Sequence, residues 1–148
     1  MDARKTELVE RSLMRAAEQI GDITAPAMEL FYARHLEARA SFEYHGLGSI
    51  QRLEGQMIEN SVFCMMYWLS DPGTIEILLT GSVPHHNDTL DVPPEWYSGL
   101  LEAVAEVVSS VIPADEVEER AAMDEVRSDL ARLIESSRAY FWRKSAAA

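Results

Sequence analysis

The sequence predicts a single, all-helical domain, on three observations. Of its 148 residues, 47% are apolar, enough for one compact core without disulfides or metal staples. The apolar residues recur at spacings of three and four between breaks set by Gly and Pro, the period of helices that bury one face. Strand-like alternation is scarce, and no repeat, low-complexity run or linker divides the chain, so residues 1–148 read as one domain.

A first helix is expected from about Thr6 to Ile20, with Val9, Leu13, Ala16 and Ile20 on one side and Gly21 as its stop. A second starts near Asp22 or Thr24, accepts Pro26 in its first turn, and turns Ala27, Leu30 and Phe31 inward through about Glu37. Between Ser41 and Ser49, Gly46 and Gly48 interrupt the period and predict an irregular stretch, with Phe42, Tyr44 and Leu47 available to cover the core. A long central helix follows from Ile50 to Leu69, carrying Leu53, Met57, Ile58, Val62, Met65 and Leu69. Asp71 and Pro72 cap and open a short helix holding Ile75, Leu78 and Leu79, which Gly81 and Pro84 are expected to disrupt. The next helix starts at Pro94, buries Tyr97, Leu101, Val104, Val108 and Val111, and ends before Pro113. The last runs from about Asp115 to Trp142 with Val117, Ala121, Val126, Leu130, Leu133 and Phe141 inward. Its acidic first turns and its terminal Arg143 and Lys144 suit the helix dipole.

The formal net charge is −12, and no Lys or Arg occurs between Arg52 and Arg120. Nucleic acid and anionic membrane surfaces would meet like charge over that stretch, so neither is an expected partner. The opening residues MDARKTELVERS lack the apolar run of a signal peptide or membrane span, which predicts a cytoplasmic protein. The lone Cys64, next to Phe63, Met65 and Met66, reads as a small buried hydrophobe. Gly81-Ser82 has no glycine-rich frame for a phosphate, and no Cys and His cluster has zinc spacing.

Several local features stand in a telling order: Phe31-Tyr32 in the second helix, Asp71-Pro72 opening the short helix, a following histidine, and Pro94-Glu95-Trp96-Tyr97 opening the next. Together they resemble the globin family, bacterial globins in particular, over nearly the whole chain. The resemblance implies a globin-like helical fold with haem as cofactor. It also implies a diatomic gas, oxygen or nitric oxide, held for sensing, storage or detoxification. Counted forward from Pro72, His86 stands where the family places its iron-binding histidine. Counted back from Pro94, that place falls on Asn87, so His85 remains a competitor, and both histidines could equally begin an exposed polar loop. A neutral imidazole suits the role because one ring nitrogen can donate its lone pair to iron.

By the same resemblance, Tyr32 corresponds to the tyrosine that donates a hydrogen bond to ligand on the open side of the iron. Phe42 corresponds to the phenylalanine stacked on the ring, with Tyr44 or Leu47 as substitutes. Glu54 faces the open side one turn before Ile58, and Gln56 or Met57 follow if the register slips. The family usually has His or Gln there, and an ionised carboxylate cannot donate to bound oxygen. His35 and His45 read as solvated. The rim after His86 carries Asp88 and Asp91 where haem propionates would favour cations, so Arg52 or Arg120 would have to be brought close by folding.

Two other functions stay open. One is a haem-free globin-like sensory or protein-interaction module. The other is an enzyme converting nitric oxide or peroxide, which would need an electron source, with Glu54 as a proton-transfer group. A homodimer through the helices starting near Pro94 and Asp115 is also expected, because Leu100, Val107 and Ile112 widen the apolar surface beyond one stripe. The competing expectation is that the final helix covers these residues within one chain.

Overall fold

The computed structural model describes the backbone of residues 3–90 and 92–147, and the side chains of residues 3–82 and 92–137. Among the described residues there are seven helices and no strand: α1 (Ala3–Gln19), α2 (Thr24–Arg34), α3 (Ala38–His45), α4 (Ile50–Tyr67), α5 (Pro72–Leu90), α6 (Pro94–Ser109) and α7 (Val117–Ala147). The all-α class expected from the apolar period is therefore what the chain adopts. None of the helices, over the described residues, is long and apolar enough to cross a membrane.

α6 is the central element, packed against α1, α2, α4, α5 and α7. It buries Leu100, Leu101, Val104, Val107 and Val108, with apolar side chains on several sides as a helix surrounded by others requires. α1 contributes Leu8, Val9, Leu13 and Ala16, and α7 contributes Met123, Val126, Leu130 and Ile134. Cys64 is buried on α4, as its neighbours suggested, and burial pushes its thiol up to about 11.

The breaks follow local chemistry. Gly21 ends α1 with φ +84, a conformation that costs glycine little, and its N–H donates to the Ala16 carbonyl. Asp22 accepts from the Thr24 N–H at 2.9 Å just before α2, and Pro26 is accommodated in the first turn.

Several expectations are corrected. α2 stops at Arg34, three residues before Glu37, and most of the stretch expected to be irregular is α3. The turn there is confined to residues 46–48, with Leu47 at φ 50 and 92% exposed and Gly48 at φ 92. α5 is not broken at Gly81 and Pro84 but continues to Leu90. A glycine costs a helix only about 1 kcal/mol and a proline about 3, which packing of α5 along α6 and α7 offsets. Ile20 and Leu78 are exposed rather than inward, as are Val117 and Ala121, where Ala122 and Met123 take the core positions. Leu100, Val107 and Ile112 are buried within the chain, so the apolar surface that motivated a homodimer is already covered. The Phe141 side chain lies outside the described residues.

α1 and α7 are also joined by a buried acid that the pattern did not reveal. Glu119 is fully buried and receives Arg15 Nε at 2.9 Å, Arg15 Nη2 at 3.2 Å and Ser12 Oγ at 3.0 Å. A buried carboxylate is tolerated only with such charge and hydrogen-bond compensation.

Candidate ligand pocket

The helical period of α2 sets the centre of the site. Phe31 and His35, one turn apart, share a face, and their rings meet at 5.2 Å. Phe31 also meets the Phe42 ring of α3 edge-on at 6.0 Å, and Tyr32 meets it at 5.8 Å, nearly perpendicular. Such tilted and edge-to-face arrangements suit the quadrupoles of the rings.

Beside this cluster lies a pocket of about 100 Å³, walled by Phe31 and by Phe42, Ser41 and His45 of α3. Leu53 and Met57 of α4, Val92, and Trp96, Tyr97 and Leu100 of α6 complete it. Its surface is almost wholly carbon. A second cavity of about 180 Å³ lies between α4 and α5, floored by Leu100 and Leu101 of α6 and Ile134 of α7. Met57, Tyr97 and Leu100 border both spaces, so they form the partition between them. Burial pushes the Tyr97 phenol up to about 12, although Ser82 Oγ of α5 lies 3.1 Å from its hydroxyl.

Tyr32 and Glu54 meet directly. The Tyr32 hydroxyl donates to Glu54 Oε2 at 2.7 Å, a length typical of charge-assisted O–H···O⁻ bonds. Burial, reinforced by the bond and by the charge of Glu54, holds the phenol well above the ordinary tyrosine range. Arg39 stands over the ring, 5.4 Å from its centroid, and pairs with Glu43. A tyrosine has one hydroxyl proton, and here it goes to Glu54.

Of the residues singled out from sequence, Phe42 and Met57 line the pocket, while Tyr32 and Glu54 form the bonded pair next to it. Ile58 is buried in the core and lines neither cavity. His85 and His86 fall within the backbone of α5, but their side chains lie outside the described residues, as do those of Asp88 and Asp91. Tyr44 and Leu47, the substitutes for Phe42, are exposed. Arg52 is exposed, and Arg120 donates to the carbonyls of Ile112 and Pro113, bracing the turn before α7; neither lines a cavity.

Two histidines read as solvated are not. His35 is half-buried against α6, where a Cβ at Gly99 would lie 2.3 Å from its Nε2. Gly99 thus leaves the space that the imidazole fills. His45 is half-buried at the pocket wall. Tyr97 was legible on the inward stripe of α6, Leu100 only as an apolar residue beside it and Trp96 only within the Pro94-Glu95-Trp96-Tyr97 helix start, and nothing in that pattern separates a pocket wall from a core face.

No family model, no curated protein and no solved structure matches this chain. Among the described residues, no group of three His, Cys, Asp or Glu side chains is placed to hold a metal ion.

Proposed function

We propose that this chain is a globin-like protein that binds haem and, through it, a diatomic gas, oxygen or nitric oxide. The observation that supports the reading is the pair of adjoining apolar cavities bordered by α4, α5 and α6. By chemistry the lining suits a flat apolar ring system: Phe42 and Met57 present ring and thioether surfaces. By size, each cavity falls short of the roughly 300 to 1,000 Å³ of ordinary ligand sites. To hold a macrocycle the partition would have to shift, and Met57 is its most adaptable member. When bound, haem supplies the iron that holds the gas. His86, with His85 as competitor, is the residue of α5 proposed to hold the iron, and Tyr32 and Glu54 are the polar pair proposed to face the gas.

A second reading is favoured by the Tyr32–Glu54 bond. It holds the Tyr32 phenol on Glu54 rather than toward a ligand, as suits a haem-free sensory or interaction module. One titration separates the two. Purified protein mixed with haem should develop a sharp Soret band at one equivalent, weakened by His86→Ala and largely spared by His85→Ala. Absence of stoichiometric uptake would refute the haem reading and leave the module.

A further inference from the structure

We propose that the aromatic pocket of the haem-free chain is a binding site for an uncharged molecule with a single aromatic ring, a ligand distinct from haem that would compete with it for the same space. Phe31, Phe42, Trp96 and Tyr97 stand around it, with the His45 imidazole also at its wall. A further aromatic ring completes such a set with offset or edge-on contacts, and Met57 at the partition adds a sulfur–aromatic contact.

Charge and polarity narrow the class. The pocket surface is almost wholly carbon, although Ser41 and His45 belong to its wall, so a carboxylate or a sugar would lose its hydration with too few hydrogen bonds to replace it. The net charge of −12 also opposes any anion approaching the protein. Water is a poor occupant for the same reason, since an ordered molecule needs about two to four polar partners.

Size narrows it again. The pocket holds about 100 Å³, somewhat less than the roughly 150 Å³ apolar cavity that takes up benzene, and it opens to solvent at one side. One ring enters with its edge toward the opening. Two fused rings would have to push Met57 or Leu100 into the neighbouring cavity.

The test uses toluene and benzoate as probes on the full chain without haem. Toluene should shift the Met57 methyl resonance saturably, with Kd of about 1 mM or tighter for a ligand of this size, and should raise the melting temperature. Benzoate at equal concentration should do neither. Ser41→Phe, which fills the pocket from a half-buried position on α3, should weaken toluene at least tenfold. Leu100→Trp is the second filling variant, and each is accepted only if it melts cooperatively. Toluene leaving Met57 unshifted, benzoate binding as well as toluene, or toluene affinity unmoved in the filled variants would each overturn the proposal.

Discussion

Replacing Tyr32 by Phe deletes one hydroxyl and leaves the ring contacts with Phe31 and Phe42 in place, so its cost isolates the bond to Glu54. A hydrogen bond to a charged partner contributes about 1.5 to 3 kcal/mol. Tyr32 and Glu54 are both half-buried, so water reaches the carboxylate once the hydroxyl is gone, which places the expected loss at about 1 to 1.5 kcal/mol. Glu54→Gln keeps an amide oxygen as acceptor and removes the charge, for an expected loss of about 0.5 to 1 kcal/mol. The double variant should lose less than the sum, by about 0.5 kcal/mol or more, because each single change already weakens the same bond. Urea unfolding of the four proteins measures this, with the midpoint moving at constant slope. Strict additivity of the two losses would refute the inference that the 2.7 Å contact holds the phenol. It would also release the Tyr32 hydroxyl for a bound gas.

Two further outcomes are expected. Glu119→Gln should lower the melting temperature by roughly 5 °C, because the amide keeps one acceptor oxygen but removes the buried charge paired with Arg15 and sets an NH2 donor against Arg15 or the buried Ser12. Glu118→Gln, which loses only an exposed contact with Arg4, should change it little in the same scan. Stability should also fall on the alkaline side, starting near pH 9. The folded chain keeps the Cys64 proton up to about 11 and the Tyr97 proton up to about 12, while the unfolded chain releases them earlier. The stability these groups contribute is therefore complete below the unfolded values and lost as pH rises. Cys64→Ala should flatten the first part of that decline in a pH series of urea midpoints.

The helices were legible because burial imposes a period, and Val9, Leu13, Phe31, Ile58, Val104 and Leu130 all sit in the core on that period. What escaped reading were places where a distant element overrides a local signal. Gly81 and Pro84 mark a break by any local rule, yet α5 runs through them, with Ser82 beside Tyr97 of α6. α3 is only eight residues long, too short for its period to stand out between Glu37 and Gly46. The register of early α7 was missed because its most buried residue there is Glu119, which a hydropathy pattern assigns to the surface. His35 ends a helix and looks solvated until Gly99, far along the chain, is brought beneath it. The candidate site divides along the same line. Phe42 and Met57 were readable as apolar positions on the pocket side, whereas the Tyr32–Glu54 bond depends on how α2 crosses α4.

Two polar pairs beside the cavities are used on one another, Tyr32 on Glu54 and Tyr97 with Ser82. Ser41 and His45 belong to the wall of the aromatic pocket, but its surface is almost wholly ring and aliphatic carbon, from Phe31, Phe42, Leu53, Met57 and Leu100 among others. A site of this kind discriminates by shape and dryness rather than by hydrogen-bond readout, and apolar shape alone separates close analogues by only about 1 to 3 kcal/mol per methylene. Strong selectivity must then come from a group added to the space or released within it. In the haem reading that group is the iron, with the Tyr32 hydroxyl released from Glu54 toward the gas; in the haem-free reading the Tyr32–Glu54 bond stays closed and shape alone discriminates. The two readings thus differ in what happens to one proton, and the Tyr32 and Glu54 variants, compared with and without haem, report on it directly.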